Sequence, residues 1–418
     1  MPAIFRNVPG AVLFFLVICV EAVTGCLIIL FPLLPFMVLH PVYYRKAVDH
    51  LMMLALGLPL ALLEYMFDVQ VITSGDLLYP KERMLVIMNH RTMLDWLFFF
   101  QVLMHHTTVK TEKVILKRGP SIVPGFGWAM QMGNYIFLAR KWEKDKPWLE
   151  ECFKYYKNLS YGGQFLLFPE GTDFCEASKK RSNQYADKNG LPHYEYVLHP
   201  RTTGFAFILK YLRDADLIDS VFNITVGYPD RIPHKFDPFS GNFPYKVEFN
   251  MQRYSLDELP SETKELEQWC VDQWAEKENH LKQFYVEKKS LAEVIGEAKK
   301  SRNVKEEEGE EVNGQSHLKN GKLEQNGNSI TPAKDATYRQ TVARSHLKNL
   351  VSILFFWGFF TVFTILALYF SVIVRYQCLI ALAVFVLAHK MGGTDLYQLF
   401  AYNWLRRTKL SPMMNLSS

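Results

Sequence analysis

Residues 84–96 read MLVIMNHRTMLDW, in which a histidine and an aspartate follow a short apolar run. MLVIM has the length and aliphatic content of a buried strand, and LDWLFFF (94–100) is typical of a helix that follows it. His90 and Asp95 are five positions apart, about 140° around a helix, so they cannot share one helical face. We therefore expect His90 in the loop after the strand and Asp95 in the first turns of the helix.

In that arrangement the carboxylate of Asp95 can turn back and bond one imidazole nitrogen of His90. The bond would fix the tautomer and leave the other nitrogen free to act as a base, as in a Ser-His-Asp triad without its serine. On this motif alone, a histidine that caps the helix beside an unrelated aspartate explains the pattern equally well.

A second motif, FPEGTD (168–173), follows the apolar run QFLLF (164–168). Ligands of α/β sheets gather at the carboxyl ends of the strands, so Glu170 and Gly171 are candidates for substrate contact. Glycine also lets a ligand or a second stretch of backbone approach closely. The alternative for this motif is an ordinary turn at a strand end.

Two further motifs carry arginines. GNYIFLARK (133–141) contains Arg140, whose guanidinium could hold a phosphate through two parallel hydrogen bonds. VLHPRTTG (197–204) places Pro200 before Arg201, and we expect it to shape an acyl or phosphate pocket. A solvated strand end and a purely structural loop are the respective alternatives.

Strand-like runs alternate with helical stretches between residues 65 and 255, which predicts an α/β domain with a buried sheet. A charged stretch with helical periodicity follows from Leu256 to about Lys300. The expected strands lie at 84–88, 134–140, 165–168, 223–228 and 245–254.

Apolar runs lie on both sides of this domain. Residues 11–39 and 350–374 are long enough to cross a bilayer, and a shorter run at 377–388 follows the second of them. The run at 51–63 is short and contains Gly57 and Pro59, so we expect an interfacial or re-entrant helix, with a spanning helix as the alternative.

The stretch from Val286 to Thr337 has no aromatic residue in a chain that is 14% aromatic, and it contains EEEGEE (306–311). Such a composition favours a disordered linker. The sequence thus predicts an N-terminal membrane anchor at 1–67, the α/β domain at 68–285, a disordered charged linker at 286–346, C-terminal membrane segments at 347–390 and a basic tail at 391–418.

Charge and cysteine content restrict the functional class. A net charge of +5 is too small to indicate nucleic acid, but it is compatible with anionic phosphate or a lipid surface. The six cysteines show no CxxC spacing, and the 12 histidines show no HExxH pattern. We therefore expect free thiols and no bound metal.

In their order and separation, the four motifs resemble those of the 1-acylglycerol-3-phosphate O-acyltransferase family, which has an NHxxxxD box, a GxxxFxxR box, an FPEGT box and a proline box. The resemblance covers roughly residues 80–255. It implies a glycerolipid acyltransferase-like α/β domain with a central mixed sheet, flanked by membrane helices, in a multi-pass protein of the endoplasmic reticulum membrane. It also implies acyl-CoA and a lysophospholipid as substrates, with no cofactor.

The resemblance further implies roles for individual residues. His90 would take the proton of the acceptor hydroxyl as its oxygen attacks the thioester, and Asp95 would orient His90. The expected substrate-binding residues are Arg140 for the phosphate, with Lys117 and Arg201 as second choices, then Glu170, Gly171 and Thr172 in the acceptor pocket and Pro200 beside it.

Three functions fit the sequence. The first is an acyl-CoA-dependent acyltransferase acting on monolysocardiolipin, lysophosphatidylinositol or lysophosphatidic acid. The second is a CoA-independent transacylase, which would share the histidine and the aspartate but use another acyl donor. The third is a non-catalytic membrane scaffold that retains the domain without its activity.

Overall fold

The computed structural model describes residues 5–298, 300 and 332–407. Within them, a mixed sheet forms the centre of an α/β domain, as the sequence predicts. The order across the sheet is β1-β7-β6-β2-β5-β3-β4. The strands are β1 (Gln70–Gly75), β2 (Met84–Met88), β3 (Glu112–Lys117), β4 (Ile136–Leu138), β5 (Gln164–Leu167), β6 (Ser220–Gly227) and β7 (Lys246–Ser255).

Strand direction decides which loops meet. Strands β2 to β6 run parallel, whereas β7 is antiparallel to β6 and β1 runs parallel to β7. The carboxyl ends of β2 to β6 therefore lie along one side of the sheet, which we call the C-terminal edge. The apolar strands β2 and β5 are buried along their whole length because helices cover both faces of the sheet.

Each face of the sheet has its own set of helices. On one face, α3 (Pro41–Phe67) and α4 (Asp95–His106) share an apolar core with β2, β6 and β7. On the other, α6 (Trp142–Asn158), α8 (Thr202–Asp214) and α9 (Thr263–Glu287) share a second core with the same sheet. The smaller helices of the domain are α5 (Phe126–Met132), α7 (Glu176–Asn189) and α10 (residues 291–298).

In the described part of the chain, four helical segments are long and apolar enough to cross a membrane. They are Val8–Leu33, Pro41–Phe67, Leu350–Phe370 and Val372–Lys390. The first comprises α1 (Val8–Thr24) and its π and 3-10 continuations, and a short helix, α2 (Phe36–Leu39), follows it. The last two belong to α11 (Pro332–Phe370) and α12 (Val372–Lys390).

The run at 51–63 belongs to a longer helix than its apolar residues suggest. α3 has 27 residues, so the expectation that this segment is too short to span is wrong, and the alternative of a spanning length holds. The helix starts early because polar residues of its first turns are buried by partners in the domain. Arg45 and Asp49 form an ion pair at 2.9 Å, and Lys113 of β3 donates to Asp49 at 2.8 Å.

The first membrane helix lies along the C-terminal edge of the sheet. In the middle of α1, Phe15 stacks on Phe239 in the loop before β7, with ring centroids 4.6 Å apart. Beyond its end, Cys26 donates from Sγ to the carbonyl of Gly125, in the loop after β3, at 3.2 Å. The helical path between these contacts is only about 17 Å at 1.5 Å per residue, so the second half of α1 lies against the α/β domain.

Part of the predicted linker at 286–346 is ordered. Residues 291–298 form α10, in which Leu291, Val294 and Ile295 are buried. These residues recur at helical spacing and form an apolar stripe, which can be buried without any aromatic residue. The prediction of disorder is therefore wrong for residues 291–298. At the other end, residues 332–346 lie in α11. Residue 299 and residues 301–331 of the predicted linker lie outside the described residues.

The predicted basic tail at 391–418 is also partly structured. A helix, α13 (Thr394–Arg407), packs on the α/β domain, with Leu399 and Tyr402 buried in the core around α6. Gln398 donates from Nε2 to the carbonyl of Gln131 at 2.8 Å. Buried residues at helical spacing, rather than the net charge of the segment, decide its structure. Residues 408–418 lie outside the described part of the chain.

Candidate active site

His90 and Asp95 meet at the C-terminal edge of the sheet, in the arrangement that their spacing predicts. His90 is in the loop after β2 and Asp95 is the first residue of α4. Nδ1 of His90 lies 3.0 Å from Oδ2 of Asp95. The same oxygen accepts the main-chain N–H of Thr92 at 2.9 Å, which fixes the carboxylate relative to the loop.

Exposure differs sharply between the two side chains. Asp95 is fully buried, whereas the His90 side chain is 16% exposed. A buried carboxylate that faces Nδ1 favours the tautomer with hydrogen on that nitrogen. Among the described residues, Nε2 of His90 has no hydrogen-bond partner, so this nitrogen can accept a proton from a bound molecule.

The loop that carries FPEGTD holds His90 in place. The ring of Phe168 stacks on the imidazole with centroids 4.1 Å apart. The N–H of His90 donates to Oε1 of Glu170 at 3.2 Å, and the carbonyl of His90 accepts the N–H of Phe174 at 2.7 Å. Both the ring and the main chain of His90 therefore rest on the loop after β5.

Glu170 faces the interior. It is 3% exposed, and Oε1 also accepts a hydrogen bond from the indole N–H of Trp274 on α9 at 3.1 Å. Burial raises the pKa of Glu170 to about 7. Glu170 positions the loop of His90, and its place in the acceptor pocket stays a prediction.

Two arginines converge on Gly171. Arg140 donates from Nη2 to the carbonyl of Gly171. The side chain of Arg201 passes close to the α-carbon of Gly171, where an added Cβ would lie 3.1 Å from Nε. Gly171 also has a φ of +71°, which non-glycine residues adopt rarely, so glycine is required here for two reasons. Thr172, the next residue, is half-buried.

The turn that presents Arg140 is held by a buried aspartate. Asp145, in the first turn of α6, accepts the N–H of Ala139 at 2.7 Å and the N–H of Lys141 at 3.0 Å. Arg140 lies between them with a φ of 60°, an uncommon conformation for a residue with a side chain. Such backbone is often found where a side chain must point in one direction.

The other predicted residues lie around the same edge. Lys117 is exposed at the end of β3, where it pairs in register with Leu138 of β4. The end of β3 is thereby placed between the loops that carry Gly171 and Arg140. Pro200 is buried two residues before α8, so it supports the loop of Arg201 from inside.

Three residues with a structural part in the site carried no sequence signal for it. Tyr228, the residue after β6, donates from its hydroxyl to Oδ1 of Asp95. Trp274 and Asp145 hold Glu170 and the Arg140 turn, as described above. Tyr228 and Trp274 pair with distant segments that only the fold brings together, whereas Asp145 bonds within six residues of its own position. Asn89 was visible as part of the first motif, and its amide pairs with both main-chain groups of Val226 on β6.

Comparison with known proteins finds acyltransferases that are similar over the α/β domain and over most of the chain. The family model "Acyltransferase" matches residues 70–222, and the model "Acyltransferase C-terminus" matches residues 238–308. A Mus musculus protein named lysocardiolipin acyltransferase 1 is 38% identical over 385 residues, which cover 92% of this chain and 92% of the relative.

Other relatives carry related names. The Danio rerio lysocardiolipin acyltransferase 1 is 44% identical over 66% of this chain and 72% of its own length. A Caenorhabditis elegans protein named lysophosphatidylinositol acyltransferase 10 is 33% identical over 70% of this chain and 75% of its own. With the paired His90 and Asp95 at the strand ends, these matches show that the chain is an O-acyltransferase that belongs to the 1-acylglycerol-3-phosphate O-acyltransferase family.

Proposed function

We propose that this enzyme transfers a fatty acyl group from acyl-CoA to the free hydroxyl of an anionic lysophospholipid. The observation that carries the proposal is the contact between Nδ1 of His90 and Oδ2 of Asp95, with Nε2 left without a partner in the described residues. A base of this kind, placed at the strand ends of an acyltransferase domain, suits the activation of an alcohol.

The reaction needs one proton to move twice. Nε2 of His90 takes the proton of the acceptor hydroxyl while the oxygen attacks the thioester carbonyl. When the tetrahedral intermediate collapses, the carbon–sulfur bond breaks and the proton passes from His90 to the sulfur of CoA. Asp95 stabilises the imidazolium between these steps, and general base catalysis of this type contributes about 10²–10⁴-fold.

Direct transfer is the simplest route because, in the part of the chain that the structure describes, no serine or cysteine is paired with His90. Cys175 is the nearest thiol in sequence to FPEGTD, and it is exposed. Its Sγ accepts a hydrogen bond from Ser178 of α7 at 3.4 Å, which directs it toward α7. Cys175→Ser should therefore retain activity, whereas loss of turnover in that variant would favour an acyl-enzyme.

The cations at the C-terminal edge favour an acceptor whose phosphate group gives it a net negative charge. Arg140 and Arg201 both contact Gly171, one residue from Glu170, and Lys117 is exposed at the neighbouring strand end. Guanidinium groups bind phosphate with two parallel hydrogen bonds, so a lysophospholipid head group would fit between them. Its glycerol hydroxyl would then lie toward His90, on the adjacent strand end.

The acceptor would reach this edge from the bilayer. α1 lies along the edge, and several of its apolar side chains are exposed, namely Val8, Val12, Leu13, Leu16 and Val20. The loop before β7 adds Phe236, which is also exposed, and it touches the first motif where Thr92 donates to the carbonyl of Pro233 at 3.2 Å. An apolar surface beside the site suits a lipid substrate.

The names of the relatives direct the choice of acceptor. They include lysocardiolipin, lysophosphatidylinositol and 1-acyl-sn-glycerol-3-phosphate acyltransferases, all of which are named for anionic lipids. We propose monolysocardiolipin first, with lysophosphatidylinositol and lysophosphatidic acid next, and the endoplasmic reticulum membrane as the location. Acyl-CoA is made in the cytosol, so the proposal requires a domain that faces it.

One acceptor and donor panel tests this function. Purified enzyme in nanodiscs would receive labelled oleoyl-CoA and, separately, monolysocardiolipin, lysophosphatidylinositol, lysophosphatidic acid or lysophosphatidylcholine. We expect transfer to the anionic acceptors and little to lysophosphatidylcholine. Transfer from labelled phosphatidylcholine without acyl-CoA would instead identify a transacylase, and no transfer under any condition would favour the scaffold.

A further inference from the structure

Tyr228 is the one side chain outside the first motif that contacts the carboxylate of Asp95 among the described residues. Its hydroxyl donates to Oδ1, the oxygen that faces away from His90. Oδ2 meanwhile accepts the N–H of Thr92 and faces Nδ1 of His90. The two carboxylate oxygens therefore have separate partners, and the hydroxyl of Tyr228 occupies the one that does not face the base.

The fold places this hydroxyl through a closed set of contacts. The amide of Asn89 donates from Nδ2 to the carbonyl of Val226 at 3.2 Å and accepts the N–H of Val226 at 2.9 Å. These bonds join the end of β2 to the end of β6, two residues before Tyr228. The circuit runs from His90 to Asp95, to Tyr228, and back through Val226 and Asn89.

The ring of Tyr228 is also fixed from outside this circuit. The ring packs edge-on against Phe98 of α4, with centroids 6.1 Å apart. The main-chain N–H of Tyr228 donates to the hydroxyl of Tyr285 on α9 at 3.3 Å. Tyr228 is 2% exposed. Burial raises the pKa of its hydroxyl well above the ordinary value, so the hydroxyl stays protonated and remains a donor at any pH at which the enzyme works.

We propose that Tyr228 is a positioning residue of the acyl transfer, which acts through Asp95 to hold the carboxylate in the orientation that serves His90. The proposal rests on the role of His90 as the base. Without the hydroxyl, Oδ1 would be buried with no donor, and the carboxylate could rotate about its bond to the β-carbon. A rotated carboxylate would no longer face Nδ1 squarely, while the substrate pocket would be unchanged.

The contact has an electrostatic consequence as well. A carboxylate that no longer faces Nδ1 attracts the proton on the imidazole less strongly than one held in place by Tyr228. The charged and titratable groups that face Asp95 and Tyr228 are His90, Arg91, Glu170 and Tyr285. Removal of the Tyr228 hydroxyl leaves these four in place, so a change in pH dependence reports on the lost contact.

Tyr228→Phe tests the proposal because it removes one oxygen atom and keeps the ring. The matched control is Tyr211→Phe, which removes a hydroxyl that donates to the carbonyl of Glu150 on α6 at 3.4 Å. We expect kcat of the Tyr228 variant to fall about 10–100-fold, or about 1.4–2.7 kcal/mol, with both KM values within about threefold of wild type. The control should match wild type.

The pH profile distinguishes a positioning role of Tyr228 from a purely stabilising one. In Tyr228→Phe the acid limb of kcat/KM should move to lower pH, because a carboxylate that has turned away from Nδ1 holds the proton on His90 less strongly. The melting temperature is measured for both variants in the same nanodiscs. A kcat within threefold of wild type, or a loss of kcat with an unmoved acid limb and a lowered melting temperature, would overturn the proposal. His90→Ala in the same assay reports on the role of His90 separately.

Discussion

Replacement of Asp95 by asparagine should lower kcat about 10²–10³-fold while leaving the histidine tautomer intact. The main-chain N–H of Thr92 donates to Oδ2 of Asp95 at 2.9 Å, and Nδ1 of His90, which carries hydrogen in the tautomer that Asp95 favours, lies 3.0 Å from the same atom. An amide nitrogen cannot face two donors, so the asparagine oxygen must occupy that position. The amide nitrogen would then face the hydroxyl of Tyr228, which can accept.

The loss therefore comes from the missing charge. An imidazolium and a carboxylate about 4 Å apart attract each other by about 4 kcal/mol at an effective dielectric constant of about 20. That energy corresponds to roughly 10³-fold if the transition state carries the whole charge on His90, and to less if proton transfer is partial. Asp95→Ala also removes the acceptor for Nδ1 and should be slower still.

The assay is the release of CoA from a saturating acyl-CoA in nanodiscs that contain the lysophospholipid, with kcat measured for wild type, Asp95→Asn and Asp95→Ala. Asp230→Asn is the control, because Asp230 accepts the N–H of Tyr245 at 2.8 Å but has no histidine partner within the residues that the structure describes. If Asp95→Asn were within threefold of wild type, the charge would have no role. If it were as slow as Asp95→Ala, the inferred orientation of the amide would be wrong.

Four other results are expected. Arg140→Ala should raise KM for the lysophospholipid more than KM for acyl-CoA. The control Lys154→Ala, at an exposed position on α6, should change neither KM. A rise confined to the KM for acyl-CoA would assign Arg140 to the donor. The pKa of Glu170 is raised by burial to about 7, so its neutral form favours folding and that contribution is lost as pH rises toward 7. The melting temperature should fall between about pH 5 and 7 in wild type and fall less in Glu170→Gln, and equal slopes would contradict the burial argument. Leu291→Ala in α10 should cost about 2–5 kcal/mol of stability, in contrast to the exposed Ala292→Ser, and an unchanged melting temperature would show that α10 is not part of the folded domain. Finally, Asn223 is buried in β6 and should stay unglycosylated on either side of the membrane. A sequon engineered at exposed Lys188 is therefore the informative reporter of topology. Glycosylation at that sequon would place the domain in the lumen and contradict a cytosolic supply of acyl-CoA.

Local sequence was sufficient for the centre of the site. The step from β2 through His90 to the start of α4 spans few residues, and the 140° separation of His90 and Asp95 on a helix left a strand–loop–helix as the consistent arrangement. The strands that contain MLVIM and QFLLF were found for a similar reason, because fully buried parallel strands are continuously apolar.

Features that depend on distant partners were missed. β3 begins with Glu112 and Lys113, which look solvent-exposed in the sequence but are buried. Lys113 is accommodated because Asp49 of α3 lies 2.8 Å from its amine, a partner that no local pattern reveals. Tyr228 was missed for the same reason, since its contact with Asp95 exists only once β6 lies beside β2.

The ratio of CoA released to acyl ester formed tests the central claim most directly. Wild-type enzyme and His90→Gln, prepared in the same nanodiscs with labelled acyl-CoA and monolysocardiolipin, would be assayed for both the acylated lipid and free CoA. We predict one CoA released for each acyl ester formed by wild type, and a loss of more than about 10³-fold in His90→Gln with an unchanged melting temperature. Ester formation without CoA release, or more than a few per cent of wild-type turnover in a folded His90→Gln variant, would contradict acyl-CoA-dependent transfer with His90 as the base.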